Sequence, residues 1–279
     1  MKFGLFGINT GPCADPDVIR NVSVAAENAG FESLWTAEHV VLPDPQTPPS
    51  PAPPLQPFIH NFTALSFIAA ATDKILLGTG ITLIAQRNAV VLAKETASVD
   101  QLSKGRLLFG IGAGYLTQEF DALGINFEER GARTDEYIDA IRELWTSSEP
   151  EFAGQFVNYK GIQSRPQAYQ NGGPPVIVGG TSKAAYRRAI QKGQGWYGFA
   201  LNVASSQESV DALKALSEST SRRSDLGELE ISITPRVPLT DDVIKQFEDM
   251  GVSRLILLQT GQNEDQLLER IEQTAKEFL

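Results

Sequence analysis

Short apolar runs alternate with longer stretches whose apolar residues recur at helical spacing, from one end of the chain to the other. Phe3 to Ile8 is the first run, β-prone and marked by glycine. Asp15 is placed to cap a helix through Asn28, with Val18, Val22, Ala25 and Ala26 on one face and Gly30 ending it. Ser33 to Thr36 reads as the second strand, and a proline-rich loop follows from Pro43 to Pro57. Phe62–Ala71, Ala89–Gln101 and Arg133–Trp145 then carry helical spacing, and Ile75–Ile81 and Arg106–Ile111 read as strands three and four. An excursion over 147–174 includes Gln155 to Tyr159 as a small strand outside the main sheet. Strands at Pro175–Val178, Gly195–Phe199, Glu230–Thr234 and Arg254–Leu258 alternate with helices at Ser182–Gln191, Ser206–Ser217, Thr240 or Asp241 to Met250, and Glu264–Phe278.

Eight such units, with no composition break, predict an α/β protein whose parallel strands close into a (β/α)8 TIM barrel. A doubly wound sheet is the competing arrangement, but it would stop sooner or show a second domain. The reading is one domain over 1–279, with a candidate lid at 43–60 and the excursion at 147–174 as insertions.

Composition narrows the function. Apolar residues make up 42 % of 279 positions, enough for a large core. A formal charge of −10 argues against a general nucleic-acid surface and against docking on anionic lipid. The sole cysteine, Cys13, can form no internal disulfide and no cysteine-rich metal site, which fits a reducing compartment. The apolar part of the N-terminus is too short for a secretion signal, and no segment has the apolar length of a membrane helix, so a cytoplasmic location is expected. The two histidines lie far apart without a metal-binding pattern, and there is no Gly-x-Ser-x-Gly elbow, so neither a metal centre nor serine hydrolysis is expected.

In such a barrel the chemistry gathers at the C-terminal ends of the strands. Glu38 and His39 follow strand two there. His39 suits proton donation, substrate orientation or a hydrogen bond to a cofactor, because imidazole titrates near neutrality. Glu38 is a second catalytic candidate; holding a loop is the alternative for both residues. His60, after the proline-rich loop, reads as structural. Gly110-Ile-Gly-Ala-Gly114 lacks the spacing of a dinucleotide loop, but Gly112 and its neighbours would let backbone approach a flat ligand, or simply fill a crowded turn. Gly179, Gly180, Thr181 and Ser182 lead from strand five into a helix, an arrangement of free amides and hydroxyls that suits a phosphate and also describes an ordinary helix cap.

Five stretches taken together carry a resemblance: Lys2-Phe-Gly-Leu5, Gly30-Phe-Glu-Ser-Leu-Trp-Thr-Ala-Glu-His39, Leu77-Gly-Thr-Gly-Ile81, Gly105-Arg-Leu-Leu-Phe-Gly-Ile-Gly-Ala-Gly-Tyr115 and Val178-Gly-Gly-Thr-Ser182. In their order along nearly the whole chain they resemble the bacterial luciferase-like flavin and deazaflavin oxidoreductases. Glu119-Phe120 and Glu129-Arg-Gly-Ala-Arg133 look most like the branch that uses deazaflavin coenzyme F420. The resemblance implies a (β/α)8 barrel and hydride transfer between the deazaflavin C5 and a small organic substrate, with His39 near the reacting centre. It also implies a non-proline cis peptide at Gly80–Ile81 behind the ring, Thr82 along the cofactor edge, and Gly179 to Ser182 on its phosphate. Trp196 would border the tail or substrate pocket, or else be a core aromatic. Some relatives that oxidise sugar phosphates have Asp before the histidine where this chain has Glu38, which leaves the substrate and the proton-transfer role open. An FMN-dependent monooxygenase, supplied by a separate reductase, is the nearest rival, and a non-catalytic flavin-binding barrel is a third reading. A homodimer is expected by the same resemblance.

Overall fold

The computed structural model describes all 279 residues. Eight barrel strands, Lys2–Phe6, Ser33–Thr36, Leu76–Thr79, Leu107–Gly112, Val176–Gly179, Gly195–Leu201, Glu230–Pro235 and Arg254–Leu258, are all paired in parallel. Strand one sits between strands two and eight, and the sheet closes on itself where Leu77 and Gly78 of strand three pair with Leu107 and Leu108 of strand four. Closure leaves no edge, so strands two and four are buried at every position and read as unbroken apolar runs instead of alternating ones.

Helices α1 (Pro16–Ala29), α2 (Asn61–Ala71), α3 (Ala89–Leu102), α4 (Thr117–Ala122), α5 (Arg130–Thr146), α6 (Lys183–Lys192), α7 (Val203–Ser219), α8 (Asp241–Met250) and α9 (Glu264–Phe278) surround it. Local chemistry sets many of their ends. Asp15, Asn88, Ser182, Asn202, Thr240 and Asn263 each accept backbone N–H groups of the following first turn, and Gly30 and Gly251 end α1 and α8 in the left-handed conformation. Most of the core lies between strands and helices, and a smaller cluster of Trp35, Leu108, Ile177, Tyr197 and Ile256 fills the barrel interior. At the N-terminal mouth, buried Arg254 forms an ion pair with Glu32 at 2.6 Å and another with Glu230. Its guanidinium also lies 5.7 Å from the Trp35 ring. The bottom of the barrel is therefore plugged, and ligand access is left to the C-terminal end.

The structure departs from the sequence reading in four places. Strand three stops at Thr79, and after a cis peptide at Gly80–Ile81 the chain resumes pairing only at Thr82–Leu83, against Ile111 and Gly112. Helix α4 was not anticipated, because six residues are too few to show periodicity. Helix α5 begins at Arg130, ahead of the expected Arg133. In the excursion, only Asn158–Tyr159 of the expected Gln155–Tyr159 strand forms, paired antiparallel with Phe152–Ala153.

Candidate active site

A cavity of about 580 Å³ opens at the C-terminal end of the barrel. Strand one contributes Phe6, the loop after strand two contributes Glu38 and His39, and the break in strand three contributes Gly80 and Ile81. Tyr115 follows strand four, Gly179 and Gly180 end strand five, and Tyr197 and Phe199 come from strand six. The proline-rich loop supplies the opposite wall with Pro51, Ala52, Pro53, Gln56 and Phe58. That loop is anchored by Asn9, which is fully buried. The Asn9 side-chain amide donates to the carbonyls of Ala37 and Ile59 at 2.9 and 2.6 Å, and its oxygen accepts from the Ala37 amide at 2.8 Å. One side chain thus ties the ends of strands one and two to the loop that walls the cavity.

Glu38 and His39, adjacent in sequence, are held by different parts of the barrel. Glu38 accepts from the Leu83 amide at 2.5 Å and pairs with the Arg87 guanidinium, so it fastens the chain just past the strand-three break. Burial pushes its carboxyl up to about 7, against the opposing pull of Arg87 and the Leu83 amide. His39 faces the segment after strand four instead. Its Nδ1 lies 3.2 Å from a carboxylate oxygen of Glu119, a residue with no solvent exposure. The same oxygen accepts the Val40 amide at 2.9 Å, and the other carboxylate oxygen takes a longer contact of 3.4 Å from the Gln86 amide. Phe58 and Tyr115 stand edge-on to the imidazole with centroids 5.5 and 6.0 Å away, and the Tyr115 hydroxyl is 3.4 Å from Nε2. A smaller recess of about 140 Å³, lined by Glu38, His39, His60 and Asn61 among others, opens beside the cavity. His60 sits on the far side with its Nε2 2.9 Å from Arg87; burial and that cation both lower its pKa.

Gly112 has a packing reason: a methyl group there would come within 2.1 Å of Ile81 Cδ1. At Gly110 the obstacle is the Thr79 carbonyl oxygen, 1.8 Å from where a Cβ would lie. The glycines of strand four thus admit the irregular chain at Thr79–Ile81, and Ile81 reaches the cavity wall. Thr82 is buried, and its hydroxyl accepts from Asn61 at 2.9 Å, so its side chain is absent from the cavity wall. Trp196 is also fully buried. Its indole N–H donates to the Gly180 carbonyl at 2.8 Å and its ring stands edge-on to Tyr186, so it supports the turn from outside the barrel and does not border the cavity.

Gly180 adopts φ +107°, which turns the chain from strand five toward α6. Thr181 and Ser182 are exposed, and Ser182 Oγ caps the Ala185 amide at 3.2 Å. The amides of residues 181 to 184 have no acceptor in the chain, and the positive end of the helix dipole lies there. A phosphate fits this array, and Gly179 and Gly180 join it to the main cavity. Three arginines are engaged elsewhere. Arg106 is spent on backbone carbonyls of Ala69, Thr72, Ile75 and Ser103, Arg130 lies over Phe127, and Arg133 pairs with Glu129. Sequence reasoning noted Glu119 only as part of a branch landmark and gave it no place in the site; the signal was its position four residues beyond Tyr115, on the short helix after strand four.

A family model described as luciferase-like monooxygenase matches residues 1–274. An uncharacterized protein of Mycobacterium tuberculosis is 27% identical over 241 residues, covering 84% of this chain and 82% of that one. Among solved structures, the monooxygenase RslO1 from Streptomyces bottropensis superposes with a TM-score of 0.78 at 20% identity, over 100% of this chain and 98% of that one. An F420-dependent secondary alcohol dehydrogenase, solved with an F420–acetone adduct, gives 0.78 at 15% identity over 99% and 98%. At these identities the two structures speak to the fold.

Proposed function

The chain belongs to the luciferase-like monooxygenase family, and from that premise we propose that it is an F420-dependent oxidoreductase acting on a small organic substrate. The observation that carries the reading is the single cavity that brings together the Gly80–Ile81 break, the His39 side chain and the Gly179–Gly180 turn. The residues fit a flavin-type group. Ile81 and Gly80 offer an apolar surface for a flat ring, and the free amides of residues 181 to 184, with the Thr181 and Ser182 hydroxyls, offer donors to its phosphate. The bound deazaflavin would supply the two-electron, hydride-transfer chemistry. The chain's own residues bind and orient the substrate, exclude water beneath the Pro51–Phe58 wall, and handle the accompanying proton at the His39 side of the cavity. The Glu119-Phe120 stretch, which resembles the F420-using branch, favours F420 over FMN.

Parallel titrations of purified apo-protein with F420 and FMN, followed by ligand absorbance or fluorescence, test this. Tight, saturable F420 binding with weak FMN binding is expected. Preference for FMN would overturn the cofactor assignment and make oxygen-dependent turnover, fed by a separate reductase, the next assay. Failure of folded protein to bind either would remove the phosphate role of residues 179–182. The same reading carries a homodimer and a cytoplasmic location, and sedimentation of the purified protein checks the former.

A further inference from the structure

We propose that the group exchanging a proton with the substrate is the Tyr115 hydroxyl, relayed through His39 to Glu119. This rests on the oxidoreductase reading above and assigns the acid–base step within that site. Three observations carry it. Tyr115 lines the cavity and is 46% exposed, whereas the His39 side chain is only 8% exposed beneath Tyr115 and Phe58. The phenol is therefore the more exposed of these two cavity-lining groups. Glu119 accepts the Val40 amide and lies 3.2 Å from His39 Nδ1. An ionised carboxylate can only accept, so it holds the imidazole hydrogen on Nδ1 and leaves Nε2 as a bare acceptor. Tyr115 Oη lies 3.4 Å from that Nε2, a separation of the loose kind common in catalytic sites without ligand. Burial and the Glu119 charge both raise the Tyr115 pKa, which keeps the phenol protonated at neutral pH.

For an alcohol substrate, the substrate O–H breaks as its proton joins Tyr115 Oη. The phenol proton passes at the same time to His39 Nε2. The carbonyl forms with loss of the carbon-bound hydrogen and its electron pair, for which a bound flavin-type group would supply the two-electron acceptor. His39 is left as an imidazolium against Glu119, and the recess it shares with His60 gives its proton a route to solvent. Carbonyl reduction reverses each transfer. Tyr115 is thus the catalytic residue, and Glu119 is a positioning residue that acts through His39.

The chain's two histidines make the test direct. Imidazole nitrogens labelled with ¹⁵N are observed by NMR in apo-protein, with His60→Gln assigning the signals. His39 is expected in the Nδ1–H form. Tyr115→Phe should keep that form but shift the Nε2 resonance, and Glu119→Leu, which removes the acceptor, should lose the tautomer preference. An Nε2–H form in the wild type, or an Nε2 resonance indifferent to Tyr115→Phe, overturns the relay. These outcomes are read without cofactor, so they stand apart from any failure of the F420 assignment. Should Glu119→Leu not fold, because it also releases the Val40 amide, the wild-type and Tyr115→Phe spectra decide. In enzyme loaded with whichever cofactor binds, Tyr115→Phe is expected to lower kcat by roughly 10²-fold or more with cofactor Kd unchanged. An unchanged kcat also overturns the proposal.

Discussion

Replacing Glu38 by Gln removes a buried carboxyl while keeping an oxygen that accepts the Leu83 amide. In the wild type this carboxyl is held near 7 in the folded state, against its ordinary value of 4.5, because burial outweighs the pull of Arg87 and Leu83. Glu119 adds repulsion and His39 a weaker attraction. Between pH 4.5 and 7 the unfolded chain therefore releases a proton that the folded chain retains, so the Glu38 contribution to stability falls as pH rises. Over that window the loss, at about 1.36 kcal/mol per pH unit, is about 3 kcal/mol. Below pH 4.5 both states are protonated, and above about 8 both are ionised, so the contribution is flat outside the window. Glu27 and Glu230, whose pKa values are lowered, act in the opposite sense below their ordinary range and cancel when the variant is subtracted from the wild type. The assay is urea unfolding of both proteins at several pH values, read as the difference in stability. That difference should swing against the wild type by about 3 kcal/mol from pH 4.5 to 8. A flat difference would mean that the folded carboxyl titrates as an ordinary one. A difference moving toward the wild type would mean that the Arg87 pair dominates burial, and either result refutes the reasoning.

Other substitutions test the scaffold of the cavity. Asn9→Ala removes a fully buried side chain that makes three hydrogen bonds to backbone; thermal unfolding should show a loss of about 3 kcal/mol, and cofactor binding should weaken as the Pro51–Phe58 wall loosens. Gly112→Ala places a methyl group against Ile81 Cδ1 and should cost about 1 to 3 kcal/mol while disturbing the ring surface, so cofactor titration should show a larger affinity loss than at Gly179→Ala, where the Ile81 contact is 3.1 Å. Ser182→Ala should cost about 1 kcal/mol in denaturant unfolding through the lost α6 cap, and should lower phosphate-bearing cofactor affinity further by removing one hydroxyl.

The barrel was legible because closure buries its strands on both faces, and such strands appear in sequence as continuous apolar runs such as Leu107-Leu-Phe-Gly-Ile111. Helix starts were legible where one polar residue could satisfy a first turn, as at Asp15 and Ser182. The break in strand three was invisible to periodicity, since Gly80 and Ile81 suit a regular strand as well as an irregular one; the resemblance alone pointed to it. Trp196 shows a different limit. Strand residues alternate between the barrel interior and the helix layer, and Trp196 packs with the outer core while its neighbour Tyr197 packs inside. Parity counted from Tyr197 would have chosen Phe199, which does line the cavity.

Glu119 was hidden for a related reason. It lies in the polar stretch Thr117-Gln-Glu119, and nothing local marks it as buried; burial comes from the docking of α4 against the loop after strand two. The two carboxylates of the site then separate by their partners. Glu38 is committed to the Leu83 amide and the Arg87 guanidinium, so it holds the chain past the cis peptide. Glu119 meets an imidazole instead, with His39 Nδ1 3.2 Å from its carboxylate. The residue adjacent to His39 in sequence therefore fastens the chain beyond strand three, and the residue eighty positions away holds the imidazole itself.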